Sequence, residues 1–199
     1  MTSEQWDERY SAPRLVWSAA PNRFLVAEVE AMAPGRALDV ACGEGRNAVW
    51  LATRGWNVTG ADFSPVGIGK ARQLAAEHDV DVTWEVVDIT TRRWPDAAFD
   101  LVIVFYLHMP PDAMRSVLRH AQDALAPGGT LLVVGHALRN LTDGYGGPPT
   151  ADGLYGPDDL VAGLDGLTIE RAEEVLRPVE ADGETHTAID VLVRARRSA

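Results

Sequence analysis

With 199 residues, 46% of them hydrophobic, the chain is long enough to bury one substantial α/β core, and one domain is expected. Its formal net charge of -11 repels phosphate backbones and anionic lipid surfaces, which disfavours nucleic acid and membrane as partners and suits a neutral or cationic small molecule. The single cysteine, Cys42, excludes an intramolecular disulfide and a Cys-based zinc cluster; with no apolar core of signal-peptide length in Met1 to Ala20, a cytoplasmic protein is expected.

Trp6 and Tyr10 share one face of a short helix that Pro13 ends. A second helix begins near Pro21, carries Leu25, Val29 and Met32 along one side, and stops at Pro34-Gly35. Residues 1–33 are thus expected to form a helical cap or lid on a core of residues 34–199. The aromatic side chains Trp6, Tyr10 and Trp17 need an apolar surface, either as a lid over a bound cofactor or by docking on the sheet edge.

Ala37 to Ala41 is predicted as a buried strand, followed by a glycine loop and a helix from Asn47 to Thr53. Strand Asn57 to Ala61, helix Pro65 to His78, strand Val82 to Val87 and the fully apolar strand Leu101 to Phe105 come next. Helix Pro111 to Leu125 ends in Ala126-Pro127-Gly128-Gly129 and leads into strand Thr130 to Gly135. After a Gly/Pro-rich loop (Asp143 to Gly156), a helix near Pro157 to Gly163 precedes two strand-like runs, Leu167 to Leu176 and Thr187 to Ala195. Asp182-Gly183 between them is a hairpin turn signal. Apolar strands alternating with helices imply a parallel sheet with right-handed crossovers; here an antiparallel hairpin closes it.

The stretch Leu38-Asp39-Val40-Ala41-Cys42-Gly43-Glu44-Gly45-Arg46-Asn47 is a strand running into a glycine loop that opens a helix. Glycines let a ligand approach the backbone, and the helix start offers free N–H groups. Gly43, Gly45 and Ala48 meet the spacing of a dinucleotide fingerprint, with Asp62 nearly twenty residues on, so an NAD-dependent oxidoreductase is one reading. Asp39 argues against it, because a carboxylate before the loop repels a pyrophosphate and suits the cationic amino-acid end of S-adenosylmethionine. Asp62 ends the second strand and Asp88 the third, where they are placed to accept from ribose hydroxyls and from an adenine amino group; Phe63 and Ile89 beside them are placed to sandwich the ring. Alternatively, either acid caps the segment that follows it.

These features together resemble the class I S-adenosylmethionine-dependent methyltransferase family: Asp39-x-x-x-Gly43-x-Gly45, Asp62, Asp88, and Leu125-Ala126-Pro127-Gly128-Gly129 before the fifth strand. The resemblance covers about Trp6 to Arg196 and implies a Rossmann-like three-layer sandwich with a mostly parallel seven-stranded sheet. It implies cofactor contacts at Asp39, Ala41, Gly43, Gly45, Asp62, Phe63, Asp88 and Ile89, with Phe105 after the fourth strand. Cys42 to Asn47 and the region from Gly146-Gly147-Pro148 onward look like the tellurite-resistance and thiopurine methyltransferase branch. Arg46 matches that branch as a cofactor contact, or forms a surface ion pair.

Methyl transfer from a sulfonium needs alignment and exclusion of water, and an oxygen or nitrogen acceptor also needs a base of near-neutral pKa. His108, just beyond the fourth strand, is the first candidate and His136, past the fifth, the second; His186 and Arg177 on the last hairpin also face the acceptor in this reading. Each of these histidines is alternatively a hydrogen-bonded loop residue, and His78 and His120, on helices, are expected to face solvent. Tyr145 and Tyr155 line an acceptor pocket or pin the Gly/Pro-rich loop. No metal is expected, because no ligand spacing occurs. The expected activity is methylation of a small molecule (a thiol, a chalcogen anion, or an oxygen or nitrogen nucleophile) with S-adenosylhomocysteine as product; the other possibility is a non-catalytic module that binds S-adenosylmethionine. A monomer or homodimer is expected.

Overall fold

The computed structural model describes residues 3–12, 14–16 and 18–199; Met1, Thr2, Pro13 and Trp17, including the expected helix stop and one of the lid aromatics, lie outside the described residues. Helix α1 (Ser3–Tyr10) is followed by α2 (Arg23–Val29), which Asn22 caps by accepting from Phe24 N. Five strands follow, with a helix between each successive pair except β3 and β4: β1 (Arg36–Val40), α3 (Arg46–Thr53), β2 (Asn57–Asp62), α4 (Pro65–Glu77), β3 (Thr83–Val86), β4 (Phe99–Phe105), α5 (Pro111–Ala124) and β5 (Leu125–His136). Pro65 fixes the first turn of α4, and Ser64 accepts from Gly67 N at 2.9 Å, so local chemistry starts that helix. Two short helices, α6 (Asn140–Asp143) and α7 (Pro157–Val161), precede β6 (Leu167–Ala181) and β7 (Glu184–Arg197).

The strands form one seven-stranded sheet in the order β3-β2-β1-β4-β5-β7-β6. Every pairing through β4·β5 is parallel, whereas β5·β7 and β6·β7 are antiparallel. The expected Rossmann-like architecture and its closing hairpin are therefore present. Asp182 and Gly183 both take positive φ (53° and 79°), the primed turn that matches strand twist. The hairpin strands run longer than their apolar patterns, because cross-strand pairing from Leu167↔Arg197 to Ala181↔Glu184 carries polar residues along.

Alternation along β4 divides the core. Val102 and Val104 pack with Val117, Leu118 and Ala121 of α5 on one face, while Leu101 and Ile103 pack with Leu25 of α2 and Leu51 of α3 on the other. Burying each such side chain contributes about 1.5–3 kcal/mol, so the central strands form a rigid platform for the loops at their carboxyl ends.

Candidate active site at the switch point

On either side of the β1/β4 pair the strand order runs outward, so the loops after these two strands diverge and open a crevice. Two non-glycine residues hold left-handed backbone there: Ala41 (φ 59°) after β1 and Tyr106 (φ 53°) after β4. Such conformations persist only where surrounding structure imposes them, and they concentrate at functional sites.

Gly45 (φ 80°) caps α3, and a Cβ there would stand 2.7 Å from both Ala71 Cβ and Trp84 Cη2. Asp39 is 1% exposed and its Oδ2 has no hydrogen-bond partner. Burial first, and then the neighbouring Asp62, push its pKa up to about 8, against the pull of the Ala48 N–H and Arg46. A buried carboxylate oxygen with an unused acceptor site is an incomplete arrangement that a cationic ligand group completes. Arg46 is half-buried, and its guanidinium makes neither a hydrogen bond nor an ion pair with the described residues. The expected alternative of an ion pair is therefore not met. Burial lowers its pKa, while Tyr106, Asp39 and Glu44 on the same side raise it and Arg177 adds to the lowering.

Asp62 is 3% exposed and holds the glycine loop in place: Oδ2 accepts from Gly43 N and Oδ1 from Ser64 N, each at 2.9 Å. Asp88 is exposed and its Oδ1 accepts from Thr90 N and Oγ1. Both acids thus perform the local capping given as their alternative role, which leaves further lone pairs on each carboxylate. Phe63 is half-buried, Ile89 is 6% exposed beside Trp94 in the α5-side core, and Phe105 is 7% exposed in the α2/α3-side core.

The N-terminal segment packs against the glycine loop and the start of α4. Tyr10 is 5% exposed, Asp7 accepts from Ser64 Oγ, and Ser3 Oγ donates to Phe63 O. Lys70 Nζ donates to Ala12 O, Arg14 O and Glu44 Oε1 at 2.7 to 3.0 Å, and Glu44 also accepts from Val16 N.

Across the crevice, the loops after β4 and β5 and the last hairpin bring together three of the four expected catalytic residues. His108 and His136 stack with centroids 5.4 Å apart, and Tyr106 packs edge-on against His136 at 5.1 Å. Arg177 Nε donates to Asp190 Oδ2 at 2.6 Å, and Tyr106 Oη donates to the same oxygen at 2.7 Å. His136 Nδ1 lies 3.2 Å from Asp190 Oδ1, within ion-pair reach but off the line that a hydrogen bond requires. His108 Nδ1 lies 2.9 Å from Gly153 O; a carbonyl can only accept, so Nδ1 carries the proton and Nε2 keeps its lone pair. Burial lowers the His108 pKa, with His136 adding to this and the Gly153 carbonyl and Asp190 opposing it, so the ring is neutral at pH 7.

His186 is set apart from this group: its ring stacks on Tyr145 at 3.9 Å, near the hairpin tip. Tyr155 pins the Gly/Pro-rich loop, since its hydroxyl donates to Met109 O and its carbonyl accepts from Leu138 N. His120 is 6% exposed, which corrects the expectation that it faces solvent: its ring lies against the backbone at Ile89. Sequence reasoning missed Tyr106 and Asp190. The latter had a readable signal, as the single acid within the apolar run Ala188 to Val193. Tyr106 had none, because strain after β4 is a property of the folded loop.

Among the described residues, no group of three or more His, Cys, Asp or Glu is arranged to hold a metal ion, and no helix is long and apolar enough to cross a membrane. Residues 37–129 match the family described as "Methyltransferase domain". The chain is 32% identical over 124 residues to the 2-heptyl-1-hydroxyquinolin-4(1H)-one methyltransferase of Mycobacteroides abscessus, covering 61% of this chain and 52% of that protein. It is 34% identical over 130 residues to the 27-O-demethylrifamycin SV methyltransferase of Amycolatopsis mediterranei, covering 63% of this chain and 47% of that protein. The chain thus spans about half the length of these curated relatives. A solved structure described as "Conversion of a Disulfide Bond into a Thioacetal Group during Echinomycin Biosynthesis" superposes with a TM-score of 0.82 at 26% identity, over 100% of this chain and 92% of that one. At 22% identity, the N-methyltransferase NodS from Bradyrhizobium japonicum in complex with S-adenosyl-L-homocysteine shares the fold with a TM-score of 0.74, over 100% of both chains. TehB from Haemophilus influenzae also shares the fold (TM-score 0.73, 15% identity, 98% of this chain and 67% of that one).

Proposed function

We propose that this chain, whose residues 37–129 match the methyltransferase domain family, transfers the methyl group of S-adenosylmethionine to a small-molecule acceptor. The family match and the methyltransferase relatives support an S-adenosylmethionine-dependent enzyme, and a fold neighbour holding S-adenosylhomocysteine supports that cofactor. The observation that carries the reading is the unpartnered, buried Asp39 Oδ2 across the switch point from the stacked His108 and His136.

The residues present fit the cofactor. Asp39 takes the α-ammonium group, Ala41, Gly43 and Gly45 provide a backbone cradle, and Arg46 takes the carboxylate. Asp62 meets the ribose and Asp88 the adenine, beside Phe63 and Ile89; Phe105 supports the site through the core behind it. When bound, the sulfonium supplies an activated methyl group whose departure leaves neutral sulfur. The chain's own part is alignment, water exclusion by α1 and the segment after it, and removal of a proton from the acceptor. His108 Nε2 would receive that proton from the acceptor. A neutral His108 is in the state this step requires. In this assignment His136 and Arg177 border the acceptor, and His186 with Tyr145 forms the outer rim of its pocket.

The relatives' names, a hydroxyquinolone and an O-demethylated rifamycin, favour oxygen acceptors, and the echinomycin structure keeps sulfur in view. A place in the tellurite-resistance and thiopurine branch rests on Cys42 to Asn47 and the region from Gly146-Gly147-Pro148 onward. In the same reading residues 1–199 act as one domain, with 1–33 as a cap, in the cytoplasm, as a monomer or homodimer, with neither nucleic acid nor membrane as partner; the charge of -11 supports the last point. The test is calorimetry with S-adenosylhomocysteine, followed by turnover against thiols, chalcogen anions, phenols, hydroxyquinolones and amines. Absence of heat with both the methyl donor and its product would overturn the proposal.

A further inference from the structure

We propose that Asp190, in the middle of β7, is the positioning residue of the acceptor end: its carboxylate orders Tyr106, Arg177 and His136, and through the imidazole stack it sets the face that His108 presents. The inference rests on the methyl-transfer reading above for what that base does, and on geometry for the rest.

Asp190 is completely buried in a strand that is otherwise apolar from Ala188 to Val193. A carboxylate in that setting is retained only with full compensation. It has that compensation from three separate elements: the Tyr106 hydroxyl after β4, the Arg177 guanidinium on β6 and the His136 ring at the end of β5. Burial raises its pKa, but these three contacts outweigh burial and hold it below the usual carboxylate range. The anion is therefore permanent across the working pH range. Tyr106 accepts left-handed backbone in making its contact, and its ring lies 5.7 Å from Arg177 Cζ and 5.1 Å from the His136 centroid. Asp190 is the carboxylate that bonds both the Tyr106 hydroxyl and the Arg177 guanidinium, while the Asn22 side chain also reaches that hydroxyl.

The groups facing His108 are Tyr106 from its own loop, His136 from β5 and the Asp190 anion from β7, with Arg177 from β6 beside Asp190; Arg46 on α3 is turned toward Tyr106 and Arg177. Asp190 is the anion among them, so it favours the protonated form of His108 that arises as the acceptor loses its proton. Arg177 sits against that carboxylate and weakens its field.

The experiment follows the imidazole titrations by NMR in the full chain labelled at its 5 histidines, with His108 assigned by its absence in His108→Gln. In Asp190→Asn the His108 midpoint is expected to fall by about one pH unit. Affinity for S-adenosylhomocysteine should stay within about twofold, and turnover should drop at least about tenfold with its acidic limb moved to lower pH. A folded Asp190→Asn protein with the His108 midpoint unmoved overturns the proposal. Should that variant fail to fold, Arg177→Gln keeps the carboxylate and removes its shield; the midpoint then rises, and an unmoved one overturns the proposal equally. The titration needs no acceptor, so a wild-type chain that binds S-adenosylhomocysteine but turns over nothing would sink the enzymatic reading and leave this result legible.

Discussion

The hydroxyl of Tyr10 stands 2.7 Å from the point where a Cβ on Gly43 would lie, so the N-terminal helix and the glycine loop occupy complementary space. Gly43 also has φ +55°, a region that costs any side chain strain. Gly43→Ala is therefore expected to destabilise the chain by about 1–3 kcal/mol and to weaken S-adenosylhomocysteine binding. Adding Tyr10→Ala should restore part of the affinity, since it removes the clash but not the strained φ; strictly additive losses in the double-mutant cycle would show that the two do not share that space.

Asp39 gives a pH signature. Its pKa is about 8 when folded against 3.8 when free, so between these values the unfolded chain gives up its proton and the folded chain keeps it. The unfolded state then binds fewer protons, and this group's contribution to stability declines as pH rises from about 4 to about 8. Melting of the ligand-free chain across that window should show the decline, and Asp39→Asn should remove that part of it. The same variant is expected to bind S-adenosylhomocysteine at least about tenfold more weakly, because the ammonium loses its counter-charge. A variant with unchanged affinity would remove Asp39 from the cofactor site.

Lys70 ties the segment after α1 to α4 through two backbone carbonyls and Glu44. Lys70→Met releases all three bonds, one of them to the buried Glu44, which is 3% exposed. Stopped-flow dissociation of S-adenosylhomocysteine should accelerate by roughly tenfold in this variant, the size expected from losing a charge-assisted bond. If melting temperature falls while the dissociation rate holds, the segment is structural packing and not a cover.

His108→Gln keeps a hydrogen bond to Gly153 O within reach and removes the basic nitrogen. For an oxygen or nitrogen acceptor, turnover should fall by about 10²–10⁴-fold, with cofactor affinity unchanged. An acceptor already ionised at neutral pH, such as a thiolate, should lose far less. Equal losses across both acceptor types would mean that His108 orders the loop and carries no proton.

Chain-local chemistry determined a good part of this protein. The Asp39 to Asn47 run, the Ser64-Pro65 helix start and the Asp182-Gly183 turn all report backbone preferences that neighbours along the chain settle, and the alternation of apolar strands with helices was enough to define the sheet and its closing hairpin. Tertiary structure alone decided the acceptor end. Tyr106 and Asp190 are 84 positions apart and meet because β4, β5 and β7 are neighbours in one sheet, with Val134 paired to Leu192 beside them. His186, equally plausible by residue type, falls nearer the hairpin tip and stacks on Tyr145 instead. Side-chain convergence depends on cross-strand register and on how far each strand extends, and both follow from packing that no local stretch of sequence contains.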